Sequence, residues 1–337
     1  MSLSQKHIPV RLFAWAVVGA ALIALFRFAA PTEAEASFDG THTIRLLTAD
    51  GTIETMTLAE YLPGAVAAEM PASFGAEALK AQAVAARSYV LASHRHDGAD
   101  ICADSGCCLA FWRPDELRAR WGDGYADAIA LIRAAVLATD GEVLTYDGKI
   151  IPAVFHAGSV GATEDAAAVW SEIPYLKSVP TPETAETVPQ LLSTAYFTPD
   201  ELCARLGLTP EGAPDTWLVG VQHDDAGRVA LLRIGGQSLS GTFVRSALEL
   251  RSTAFDVKWD GARFVFTVAG YGHGVGMSQY GAMLLAEQGM DYAAILAHYY
   301  PGTELVSPRL QAQLPSPSAR RHSPSEPFSG RVRVSLV

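Results

Sequence analysis

Three Asp-Gly dipeptides, Asp50-Gly51, Asp147-Gly148 and Asp260-Gly261, each stand between two runs rich in β-branched and apolar residues. Aspartate tolerates and glycine favours the positive φ of a tight reversal, so each dipeptide predicts a β-hairpin. The expected pairs are 43–47 with 52–56, 143–146 with 149–155, and 255–259 with 263–268, and residues 217–223 with 228–234 make a fourth. Helical signals fall between the hairpins without regular strand-helix-strand alternation. Thr57 and Glu60 read as a capping box opening a helix that Pro63 resets before Glu69. Further helices are expected over 76–93, over 125–138 with a stop at Asp140-Gly141, from Ser240 to Leu248, and over 278–288 and 292–300. The class is α+β, mainly antiparallel hairpins packed with several helices, with no internal repeat.

At 337 residues with 49% hydrophobic content the chain buries a substantial core, here expected as one large domain over 38–306. A formal charge of −11 without a basic cluster argues against nucleic acid. Lys6 and Arg11 precede an uncharged run from Leu12 to Phe26, and apolar character resumes after Arg27. Residues 12–30 read as a signal anchor with 1–11 cytoplasmic; Ala34-Glu-Ala36 as a cleavage site is the alternative. Either reading puts the domain outside the cytoplasm. Residues 307–337 collect Pro, Ser and Arg and are expected to be a disordered tail.

The run from Ala67 to Tyr89 carries the first chemical signal. Pro71 should end the preceding helix near Glu69, and the next helix carries a stripe of Leu79, Ala83, Ala86 and Val90. Lys80 and Arg87 lie two turns apart on nearly one face, as do Gln82 and Tyr89. Glu69 is a candidate acid/base, and an ion pair with Lys80 or Arg87 is the competing reading.

His94, His96, Cys102, Cys107 and Cys108 fall within fifteen residues. Thiolates and imidazoles at this density suit tetrahedral zinc, and a disulfide with a spare thiol suits them equally. Adjacent Cys107 and Cys108 do not join without strain. His94 reads as the weaker histidine, and Cys203 as a buried thiol. Two glycine-rich blocks follow, Phe155-His-Ala-Gly-Ser-Val-Gly-Ala-Thr-Glu164 and Gly270-Tyr-Gly-His-Gly-Val-Gly-Met-Ser-Gln-Tyr-Gly-Ala282. Neither supplies a dinucleotide or phosphate loop, and Ser159 does not lie in a Gly-x-Ser-x-Gly elbow. The candidate polar contacts are His156, Ser159, Thr163, His273, Ser278 and Gln279. Trp170 and Tyr175 are either ligand-stacking rings or core aromatics.

An acidic residue before Met-Pro, followed by a Lys-Ala-Gln-Ala-Val-Ala-Ala-Arg helix, resembles the stage II sporulation protein D family, which includes amidase-enhancer proteins. The likeness extends in order through the later blocks, over roughly residues 43–305. It implies a peptidoglycan lytic transglycosylase, acting on glycan strands stripped of stem peptides in septal wall remodelling during sporulation engulfment. Glu69 would be the lone acid/base, with Lys80, Gln82, Arg87, Tyr89 and the polar residues of the two blocks contacting substrate. His96, Cys102 and Cys108 match the family's metal-binding loop directly, and Cys107 stands where the family often has histidine. One structural zinc and no organic cofactor is the implied complement. Ala157, Gly158 and Val160 depart from the family's second block, which keeps open the alternative of a non-catalytic, glycan-binding activator of an amidase. A zinc hydrolase is a third reading. The implied partners are a membrane-anchored amidase and a multispanning scaffold, stage II sporulation proteins P and M.

Overall fold

The computed structural model describes residues 37–93 and 95–307. The expected signal anchor, the cleavage site, His94 and all but the first residue of the expected tail lie outside them. No helix among the described residues is long and apolar enough to cross a membrane.

The fold is α+β with mainly antiparallel pairing, as the sequence predicts. Leu58–Glu69 and Ala76–Ala92 are the helices that carry the first chemical block. Thr57 and Glu60 close the capping box, and Met70 leaves the helix in extended geometry because Pro71 excludes the helical region before it. Pro63 does not reset this helix, which runs unbroken. It forfeits only the bond to the Ala59 carbonyl, and Ala59 is exposed. Ala76–Ala92 is buried along most of its length, and its alanines let neighbouring helices approach from several sides. Tyr125–Ala138, Gln279–Glu287 and Tyr292–Tyr299 are those neighbours. Two helices not foreseen, Pro114–Trp121 and Pro199–Leu206, both begin with proline at a position where no N–H is needed.

The Asp147-Gly148 hairpin has the two-residue turn, with φ of 50° and 71° and Tyr146 opposite Lys149. Its second strand ends at Ile150. The expected continuation to Phe155 is corrected: Phe155–His156 is a separate strand that pairs in parallel with Met277–Ser278, so the two glycine-rich blocks lie side by side. Ile53–Thr57 pairs with Thr43–Leu47, which also pairs in parallel with Ile101–Cys102. The Asp260-Gly261 hairpin gains a third strand, Leu192–Phe197. Val229–Ile234 lies between Leu218–His223 and Gln237–Ser240.

Two hydrophobic cores result. The first gathers residues such as Leu46, Tyr61, Leu79, Ile132, Phe155 and Leu296. The second lies between Phe197 and Val268 and includes Leu202, Leu232, Val244 and Phe266; Cys203 is half-buried against it.

Candidate active site and cysteine cluster

Glu69 closes its helix fully buried in the first core. Its Oε1 accepts the Ala110 N–H at 2.9 Å, and Oε2 has no partner among the described residues. Burial pushes its pKa up to about 8, against the lowering effect of the Ala110 amide. The side chain therefore holds a proton at neutral pH. The hydroxyls of Tyr61 and Tyr89 are also buried without a partner among the described residues.

The competing reading, an ion pair between Glu69 and Lys80 or Arg87, does not hold. Arg87 donates from Nε and Nη2 to both carboxylate oxygens of Asp39, at 2.8 and 2.6 Å, and to the carbonyls of Glu142 and Val136. All three Arg87 nitrogens are spent on these partners, which ties Arg87 to the fold. Lys80 pairs instead with Glu77 on its own helix at 2.6 Å. Gln82 accepts a hydrogen bond from Gln279 at 3.2 Å, bringing the first and last blocks together across 197 residues.

His96, Cys102, Cys107 and Cys108 converge, with one ligand atom from each lying within 4.8 Å of all the others. His96 Nε2 is 3.3 Å from the Cys108 sulfur, and the Cys107 and Cys108 sulfurs are 3.9 Å apart. Tetrahedral zinc–thiolate geometry separates two sulfurs by about 3.8 Å, and three thiolates with one imidazole is a common structural zinc set. All four cysteines are free thiols. A hydrogen bond from Cys108 lowers the Cys102 pKa to about 5, and the same contact raises that of Cys108. Ala110, whose amide holds Glu69, lies two residues beyond Cys108 in sequence.

The glycine-rich blocks form a buried polar network. His156 Nε2 is 2.7 Å from Ser159 Oγ, its Nδ1 faces the Val275 carbonyl at 3.2 Å, and burial depresses its pKa well below the ordinary value. Ser159 Oγ also accepts from Arg228 at 2.8 Å. The Arg228 guanidinium lies 3.6 Å from Glu164, which burial raises to about 7 despite that cation. Glu183 accepts from Ser278, Thr181 and the Ser159 amide, and burial raises its pKa also. Thr163 accepts from the Val179 amide at 2.9 Å, and His273 accepts from its neighbour Val275. The His273 pKa falls to about 3, chiefly through burial. Trp170 packs on His273, and Tyr175 on Tyr146.

Thus His156, Ser159, Thr163, His273, Ser278 and Gln279 come together, but as an enclosed scaffold. Sequence reasoning missed Glu183, Arg228, Asp39 and Ala110. Glu183 sits in a polar Thr-Pro-Glu-Thr stretch and Arg228 at a hairpin turn, both patterns of surface loops. Nothing local announced their burial.

A family model described as stage II sporulation protein matches residues 48–146. Stage II sporulation protein D of Bacillus amyloliquefaciens is 39% identical over 265 residues, covering 77% of this chain and 76% of that protein. The protein of the same name from Bacillus subtilis (strain 168) is 37% identical over 265 residues, covering 77% of each. An amidase enhancer from Bacillus subtilis (strain 168) is 32% identical over 303 residues, covering 73% of this chain and 40% of that protein.

Proposed function

Because the chain belongs to the stage II sporulation protein D family, we propose that it is a peptidoglycan lytic transglycosylase with Glu69 as its single acid/base. The observation that carries this reading is a fully buried glutamate with no cation paired to it among the described residues and a pKa raised to about 8. Glu69 enters as the acid and gives its proton to the leaving glycosidic oxygen as the C1–O bond breaks. The carboxylate left behind takes the proton of the muramic C6 hydroxyl while that oxygen closes on C1. The products are a free glycan end and an anhydromuramic end, and Glu69 is protonated again. The substrate's own N-acetyl group stabilises the oxocarbenium-like transition state, so no second carboxylate is required. Glu183 and Glu164 are committed to the buried network.

In the same reading, His96, Cys102, Cys107 and Cys108 hold one structural zinc that supplies folding energy and no chemistry of the reaction. The domain works outside the cytoplasm behind a single-pass signal anchor, beside an amidase and a multispanning membrane scaffold, in wall remodelling during sporulation engulfment.

The test is to incubate the purified chain with stem-peptide-free glycan strands and look for anhydromuramic ends by mass spectrometry. Glu69→Gln should abolish them while binding persists; full turnover by that variant would overturn the assignment. The second reading, an activator of a separate amidase, is favoured by the likeness to an amidase enhancer. Amidase stimulation by both wild type and Glu69→Gln, without anhydro ends from either, would select it.

A further inference from the structure

A groove of about 490 Å³ runs beside the Leu58–Glu69 helix, within the size range of small-molecule sites. Pro63 and Gly64 form part of its floor, Phe111, Trp112 and Tyr125 supply aromatic walls, and Arg113 and Arg133 stand at its edges. The segment that walls it also holds the acid. The Ala110 amide grips Glu69, the adjacent Phe111 ring stacks on Tyr61 at 5.2 Å, and the Trp112 amide reaches the Gly64 carbonyl. Gly64 is required at this crossing, since a Cβ there would collide with the Phe111 ring and the Trp112 carbonyl.

Two of the rings carry a guanidinium. Arg120 lies 4.0 Å from the Trp112 ring and Arg118 5.0 Å from that of Tyr125. Rigid rings lose little freedom when a ligand arrives. The charges are less symmetrical. Arg113 is neutralised by Glu54 at 2.7 Å, Arg118 by Asp115 at 2.7 Å, and Glu60 is spent on its helix cap. Arg133 is exposed at the groove, and among the described residues no carboxylate pairs with it. On a chain of formal charge −11, an uncompensated arginine beside aromatic walls calls for an anionic, ring-bearing ligand.

We infer that this groove is a glycan subsite and that Arg133 binds the lactyl carboxylate of a muramic residue whose stem peptide has been removed. The inference rests on the proposed glycan substrate and deepens it. Removal of the stem peptide exposes one carboxylate on each muramic residue, whereas an amide-linked strand offers none there. Arg133 would therefore make the protein prefer stripped strands, with the aromatic walls taking the sugar faces.

The experiment measures binding, on the full chain carrying Glu69→Gln, so that turnover does not enter. Stem-free muramic-containing oligosaccharides are compared with chitin oligosaccharides of equal length, which lack the carboxylate. Adding Arg133→Ala should weaken the muramic ligand roughly tenfold and leave the chitin ligand unchanged, as expected for one charge-assisted hydrogen bond. Arg133→Lys should restore part of the loss, and rising salt should erode only the muramic preference. Equal loss for both ligands, loss for neither, or no binding of either overturns the inference. Charge-selective binding with no anhydro ends from the wild type would overturn the acid and leave the groove. Anhydro ends from the wild type with binding indifferent to Arg133 would do the reverse.

Discussion

At the scale of the residue, Glu69 makes the sharpest prediction because its proton is held by burial. An ordinary glutamate releases its proton near 4.5, and the unfolded chain does so, whereas the folded chain holds it to about 8. Between those values the folded state binds more protons than the unfolded one. Stability then falls as pH rises, by about 1.4 kcal/mol per unit, and levels off above about 8. Glu69→Gln removes this dependence, so its melting temperature should gain on the wild type progressively across that window. Parallel melting curves against pH would show that the carboxyl is not buried in solution. For the same reason wild-type cleavage should decline as pH rises through about 8. Arg87 supports a different prediction: Arg87→Ala strands Asp39 in the interior and should cost about 3–5 kcal/mol in denaturant unfolding. The acid's place at the end of a helix was legible in Glu-Met-Pro. The freedom of Glu69 from its cations was not, because the carboxylate that takes Arg87 lies 48 residues upstream, in Asp39.

At the scale of the element, capping signals translated well and strand ends poorly. Thr57 and Ser240 each accept a backbone N–H at the start of their helices, a local event that local sequence specifies. Thr57→Ala should cost about 1 kcal/mol of stability, read by chemical denaturation. Phe155–His156 escaped its predicted hairpin because its partner, Met277–Ser278, is remote and parallel, and neither fact is written in its own residues. The cysteine loop has a more consequential placement. With Cys108 two residues before Ala110, a metal holding the sulfurs would also order the amide that orients Glu69. With the proposed zinc in place, a strong chelator should lower the melting temperature and speed hydrogen exchange at the Ala110 amide. Unchanged exchange, with zinc shown absent by elemental analysis, would uncouple the loop from the acid.

At the scale of the whole molecule, the α+β class was legible from its hairpins, but the division into two cores was not. The second core occupies the stretch between the two glycine-rich blocks, and Arg228, adjoining it, reaches Ser159 and Glu164 in the first block. Gly274 leaves room for that guanidinium, which a Cβ would strike. Arg228→Met should cost about 3–5 kcal/mol by stranding Glu164, and should let the second core exchange its amides independently of the first. A single cooperative loss of both cores in that variant would deny the bridge its role. The insertion also orders events in time. A chain synthesised from its N-terminus has every apolar residue of the inserted core by Val268, whereas the first core still lacks Met277, Leu296 and Tyr300. The contact between Gln82 and Gln279 must wait as well. The wall-cleaving activity proposed for Glu69 would thus remain unassembled until the closing helices emerge, a safeguard written into chain order.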